Sequence, residues 1–400
     1  MGLRLDWSSE KSPRFSRHLK MRQSSRDLSR QIGQLLVIGF DGTEMSPRLA
    51  SLLTNIQPAG VILFARNITG AKQAHTLLRE CQKCVATPLF TCVDLEGGTV
   101  DRFRRVLGST PSPAEVFATG SRSLFRKHGR VIGENCRALG FNLDFAPVLD
   151  LAYEASRAVM SSRAVSDDPK QVVAYAREFL RGLGDAGVLG CGKHFPGLGE
   201  ATLDTHHELP SVDKPLRKLW KQDLVPYRSL SLRRELPFIM VSHAAFPAVT
   251  KKRTPASLSK KWITDVLRAK IGYRGLICSD DLEMGGVLAA ASIEEAAIEQ
   301  VMVGHIRAGG DLGLICHQED FILRAHEALV REAQRDGRFA RRVGESARRV
   351  LAFKKKVFDK KSTAGRRTPA PTPARVEKLT RQLWEFGEEI RLATFAREDA

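Results

Sequence analysis

From residue 32 onward the chain alternates short apolar runs with polar turns and longer stretches of helical periodicity. The runs are LLVIGF at 35–40, GVILF at 60–64, PLFTCVD at 88–94, FNLDFAPVLD at 141–150, GVLGCGKH at 187–194, PFIMVSH at 237–243, GLICSD at 275–280 and DLGLIC at 311–316. A strand needs apolar residues at consecutive positions when helices cover one side of it and packed side chains fill the other. The segments between, such as AKQAHTLLRECQKC, SLFRKHGRVIGENCRALG, PKQVVAYAREFLRGLGDAG and SIEEAAIEQVMVGHIRAG, carry apolar residues three and four apart and end near glycine, as amphipathic helices do. Eight such strand–helix units in 400 residues predict an α/β fold, a (β/α)8 barrel forming a single catalytic domain. A doubly wound open sheet would carry an early glycine-rich dinucleotide loop, and the sequence has none.

This pattern sets the expected organisation: a basic extension over 1–31, the barrel over 32–357, a proline-rich basic linker over 358–375 and a last amphipathic helix over 376–400, expected on the barrel exterior. The formal charge of +18 is concentrated in the stretches EKSPRFSRHLKMRQSSRDLSR and KKKVFDKKSTAGRRTPAPTPAR, each with a single aromatic, so solubility or loose polyanion attraction is expected rather than a specific nucleic-acid groove. A hydrophobic fraction of 42% is that of a globular protein. No apolar run reaches membrane-spanning length and no secretory leader pattern opens the chain, so a cytoplasmic location is expected. Seven scattered cysteines agree with a reducing compartment, and the Cys81/Cys84 pair, lacking a second pair, reads as two structural thiols. No metal and no cofactor are expected.

Barrel chemistry gathers at the carboxyl ends of the strands. The polar residues there are Asp41, Asn67, Asp94, Glu96, Asp150, Lys193, His194, His243, Asp280 and Asp281, and together they predict one polar pocket. Carboxylate, amino and imidazole groups without a phosphate-cradling loop suit a neutral polyhydroxylated ligand, a sugar. Glycosidic cleavage needs one group at the anomeric carbon and another to protonate the leaving oxygen. Asp280 fits the first requirement. Asp204 and His206 fit the second, because a carboxylate two residues before an imidazole can orient it and raise its basicity, with Gly197 and Gly199 as hinges. His206 and His207 read equally well as solvated loop histidines.

The stretches DLEGGTVDRF, NLDFAPVLDL, KHFPGLGEATLDTHHELP, SHAAFP and PASLSKKWITDVLRAKIGYRGLICSDDLEMGG resemble, in order and spacing, the β-N-acetylhexosaminidases of glycoside hydrolase family 3, from about residue 32 to about 355. The resemblance implies a retaining exo-glycosidase acting through a covalent glycosyl-enzyme intermediate. It implies Asp280 as nucleophile, His206 as general acid and base with Asp204 as its partner, and Asp94, Arg102, Lys193, His194 and Arg163 as sugar contacts. Leu198 and Glu200 stand where the family often has histidine and aspartate, and SSRAV lacks the glycine and phenylalanine that flank the family's arginine. Larger members carry a second domain that supplies a glutamate acid; the chain after the barrel is too short for one, so His206 is expected in that role. Bacterial single-domain relatives remove terminal N-acetylglucosamine from cell-wall fragments bearing anhydro-N-acetylmuramic acid, which makes a muropeptide the expected small-molecule partner of a monomeric enzyme. A phosphorylase, a broader β-glycosidase and a sugar-binding barrel without turnover are the alternatives.

Overall fold

The computed structural model describes residues 27–201, 209–289, 297–359, 362, 365 and 368–398. Ten strands are present: β1 (Leu36–Ile38), β2 (Gly60–Ile62), β3 (Phe90–Val93), β4 (Leu95–Gly97), β5 (Val100–Asp101), β6 (Leu143–Asp144), β7 (Leu189–Phe195), β8 (Phe238–Val241), β9 (Leu276–Asp281) and β10 (Leu312–Ile315). Eight of them close into a barrel in the order β1-β10-β9-β8-β7-β6-β3-β2, and every pair in it is parallel. Closure is made by β1, which pairs Leu36 with Gly313 on one side and Val37 with Gly60 on the other. All eight apolar runs therefore contribute a barrel strand.

Side-chain alternation explains why the runs are apolar throughout. Val37, Ile62, Phe90, Cys92, Phe238, Met240, Leu276 and Cys278 fill the barrel interior. Their neighbours Leu36, Ile38, Val61, Val93, Ile239, Val241 and Ile277 pack outward with the helices. At the amino-terminal ends of the strands the rings of Phe90 and Phe238 meet edge to face at 5.1 Å, and Phe353 and Phe358 pack against them. The helix Gly337–Val357 thereby plugs that end and leaves the carboxyl ends for a site.

Helix starts follow the local sequence. Ser46 and Asp168 cap helices Pro47–Ile56 and Pro169–Asp185, each with proline in the first turn, and Ser112 with Glu115 forms a capping box for Pro113–Ala118. The fourth apolar run forms less strand than its length implies: only Leu143–Asp144 pairs regularly, because Pro147 has no N–H to give to a ladder. The last helix, Pro373–Glu398, buries Leu379, Leu383, Phe386 and Ile390 against the segments Arg104–Leu107, Pro113–Ala118 and Arg122–Ala138. Among the described residues no helix is long and apolar enough to cross a membrane.

Candidate active site

At the carboxyl ends of the strands lies a cavity of about 500 Å³. Its lining includes Asp94, Glu96, Arg102, Arg163, Lys193, His194, Asp280 and Asp281, with Phe64, Val159, Met160, Leu198, Met284 and His317 as walls.

The floor is a buried ion quartet. Asp94 follows β3 and Glu96 sits in the hairpin of β4 with β5; the two face Lys193 of β7. Lys193 Nζ lies 2.9 Å from Asp94 Oδ1 and 2.6 Å from Glu96 Oε1. Arg163 meets Glu96 as a fork, Nε to Oε2 and Nη2 to Oε1, both at 2.8 Å. Burial alone would raise the Glu96 pKa, but Lys193 and Arg163 hold its carboxyl well below the usual range. Burial alone would likewise lower the Lys193 pKa, and Asp94 and Glu96 raise it above the ordinary value. Beneath them Asp144 is fully buried and takes the Leu95 N–H at 2.9 Å; burial pushes its carboxyl pKa well above the ordinary value.

Arg102 is aimed by its neighbour. Asp101 accepts the backbone N–H groups of Phe103 and Thr110 at 2.9 and 2.8 Å, which fixes the turn on which Arg102 sits. The Arg102 guanidinium lies 5.7 Å from the Phe64 ring centre, and its Nε is buried with no hydrogen-bond partner among the described residues. His194, joined to Lys193 by a cis peptide bond, gives its Nδ1 proton to Asp150 Oδ2 at 2.7 Å. That bond sets the tautomer and leaves Nε2 for a ligand.

Asp280 comes from the penultimate position of β9 and faces the cavity. Burial would raise its pKa, yet His194, His243, the N–H of Asp281 and Lys193 bring it below the usual carboxylate value. The group is therefore ionised at neutral pH. Chemically, the cavity offers an anionic oxygen beside fixed cationic and imidazole donors.

The structure brings Asp94, Arg102, Arg163, Lys193, His194 and Asp280 to the lining of one cavity. Asp204 and His206 lie outside the described residues, as does His207; the residues before them, Leu198 and Ala201, line the cavity. Four strand-end residues do not line it, which corrects the expectation of a pocket built from all ten. Asp41 is exposed and pairs with Arg66, and Asn67 donates to the carbonyls of Phe40 and Gly42. Asp150 is spent on His194 and on the N–H of Leu198, and His243 bonds Ser257 and the Asp281 carbonyl. Gly197, at φ +136, stands close to Asp223, and Gly199 packs against Leu151 and Tyr153. Glu200 is tied to Lys214, which also pairs with Asp223.

The sequence reading counts Glu96 in the pocket without a part of its own and does not name His317. The signal for His317 was there, since it follows the eighth apolar run directly, as Asp280 ends the seventh. Its ring stacks on Phe64 at 5.3 Å, and its Nε2 lies 3.4 Å from Asp281 Oδ2. Asp281, Glu283 and His317 are the described residues that could gather round a metal, with ligand atoms within 4.8 Å of one another. Glu283, however, already accepts the backbone N–H groups of Cys316, His317 and Gln318 at the entry to helix Glu319–Arg335. Its carboxylate serves that helix start.

Comparison with known proteins places the chain. The model described as "Glycosyl hydrolase family 3 N terminal domain" matches residues 27–353. A beta-hexosaminidase of Xanthomonas oryzae pv. oryzae is 35% identical over 292 residues, covering 71% of this chain and 84% of the relative. One from Bordetella parapertussis is 36% identical over 292 residues, with 71% and 80% covered. Among solved structures, a glycoside hydrolase family 3 beta-N-acetylglucosaminidase from Paenibacillus superposes with a TM-score of 0.82 at 31% identity, over 90% of this chain and 68% of that one. The chain belongs to glycosyl hydrolase family 3, as a glycoside hydrolase of the β-N-acetylhexosaminidase type.

Proposed function

We propose that this enzyme removes non-reducing terminal N-acetylglucosamine from cell-wall fragments, with retention of configuration and through a glycosyl-enzyme intermediate. The observation that carries the reading is the Asp280 carboxylate, held ionised at the mouth of a barrel whose floor is the Asp94–Lys193–Glu96–Arg163 quartet. Asp94, Lys193 and Arg163 of that floor, with Arg102 and His194, hold the sugar hydroxyls and acetamide by short, charge-assisted hydrogen bonds and fix the ring over Asp280. An Asp280 oxygen attacks the anomeric carbon while the bond to the leaving oxygen breaks, and His206, steadied by Asp204, gives that oxygen its proton. His206 then takes a proton from water, the water oxygen bonds the anomeric carbon, and the carboxylate of Asp280 leaves. Leu198 and Ala201 support this assignment, because they bring the chain to the cavity just before Asp204 and His206. All seven cysteines are free thiols, which supports a cytoplasmic enzyme, and we assign it as a monomer acting on a muropeptide.

Proton NMR of the first product released from a β-N-acetylglucosaminide tests the stereochemistry. The reading predicts the β-anomer first; initial release of the α-anomer contradicts it. The same sample with inorganic phosphate separates hydrolysis, which gives free sugar, from phosphorolysis, which gives sugar 1-phosphate.

A further inference from the structure

The reaction described above gives no part to Glu96, although its side chain is only 1% exposed and it joins both cations of the cavity floor. A count of donors shows what it controls. Lys193 Nζ has three N–H groups, of which one goes to Asp94 and one to Glu96, so one remains. Arg163 commits Nε and one Nη2 hydrogen to Glu96, and the second Nη2 hydrogen and both on Nη1 remain. The direction of every remaining donor on these two residues is therefore set by where the Glu96 carboxylate stands. Its mount is stiff. The Leu95 N–H is held by Asp144, Leu95 pairs with Asp101, and Gly97 stands at φ +92 with its α-carbon hydrogen edge against the Pro111 carbonyl.

Charge gives the second half. Asp94 and Glu96 carry two negative charges against the two positive charges of Lys193 and Arg163, so the quartet offers donors without a net positive field. Without Glu96 the same cations would form an anion site. We infer that Glu96 is a positioning residue: without touching the sugar, it aims the free donors of Lys193 and Arg163 and makes the floor select a neutral hydroxyl or acetamide over an anion. The inference rests on the reading of this cavity as the N-acetylglucosamine site.

The experiment is equilibrium binding of N-acetylglucosamine to the full chain and to Glu96→Ala, Glu96→Gln and Glu96→Asp, with thermal melting to check the fold. Misdirecting charge-assisted donors weakens affinity about tenfold to hundredfold in each variant. Glu96→Asp keeps the charge, and with it the fold, but draws the carboxylate back by one methylene, so it loses affinity too. Sodium formate restores binding to Glu96→Ala, because a small carboxylate fits between the two cations; it does not help Glu96→Gln, whose side chain fills that space. Inorganic phosphate competes with the sugar in Glu96→Ala and not in the native protein. Native affinity in folded Glu96→Asp or Glu96→Ala, or failure of formate to restore Glu96→Ala, overturns the inference. Turnover of an aryl β-N-acetylglucosaminide by the native protein is read separately and judges the glycosidase reading. Affinity that depends on Glu96 without turnover sinks only that reading, whereas a native protein that does not bind N-acetylglucosamine contradicts both.

Discussion

Single side chains in this site are governed by competition between burial and neighbouring charge, and Glu96 shows the balance most clearly. Its folded pKa lies below the usual value of 4.5, so it contributes stability that is fully present above pH 4.5 and is lost as pH falls through the lower folded value. Urea unfolding between pH 3 and 6 should therefore show a decline in the native protein that is flatter in Glu96→Gln. At neutral pH that variant should be destabilised by about 3–5 kcal/mol, the cost of leaving buried cations uncompensated. An unfolding profile in Glu96→Gln that matches the native one at every pH contradicts the account. At this scale the sequence was informative about residue type and silent about direction. The strand-end rule identified Asp94, Lys193, His194 and Asp280 because each ends or follows an apolar run. It also gathered Asp150 and His243, whose side chains point to His194 and to Ser257 instead of the cavity. Nothing in residue spacing distinguishes a carboxylate that lines the cavity from one that aims an imidazole lining it.

The barrel strands were legible because burial on both faces leaves a mark that one-sided burial does not: near-continuous apolar runs such as GVILF and PFIMVSH. The β4–β5 hairpin left no such mark. It comprises five strand residues around Gly98 and Thr99, yet it carries Glu96 and the turn to Arg102. Its geometry depends on Gly97, where a β-carbon would stand 2.2 Å from the Pro111 carbonyl oxygen on a backbone with positive φ. Gly97→Ala should cost about 1–3 kcal/mol of stability and raise KM, since the shift needed passes straight to Glu96. Thermal melts and steady-state kinetics check this together, and a change in Tm with an unchanged KM would separate the hairpin from the site.

Across the whole molecule, the two ends of the barrel have opposite solutions to buried charge. At the end that holds the cavity, Lys193 and Arg163 of the floor each have a carboxylate. At the plugged end Lys354 is 2% exposed, donates to Gln34 and Thr87 and lies 5.1 Å from the Phe90 ring centre. Burial pushes its pKa down from 10.5 to about 7, with Cys92 opposing. The unfolded chain thus holds this proton more tightly, and stability should rise with pH between about 7 and 10.5. Lys354→Met should remove that rise; chemical denaturation at pH 7 and pH 9.5 tests it, and an equal rise in both proteins refutes it. The extension over 1–31 and the linker over 358–375 are the parts of the molecule that sequence described only by composition. The closing helix was recognised by its periodicity, but its seat against Arg122–Ala138 follows from Leu379, Leu383, Phe386 and Ile390 meeting a surface that no local pattern announces.

The central claim is that Asp280 attacks the sugar from the mouth of this barrel. Its most direct test is the rate of nitrophenol release from an aryl β-N-acetylglucosaminide by the native protein and by Asp280→Ala. The account predicts steady release by the native enzyme and a loss of at least about 1000-fold in the variant, the scale expected when a covalent nucleophile is removed. Full activity in Asp280→Ala would contradict it.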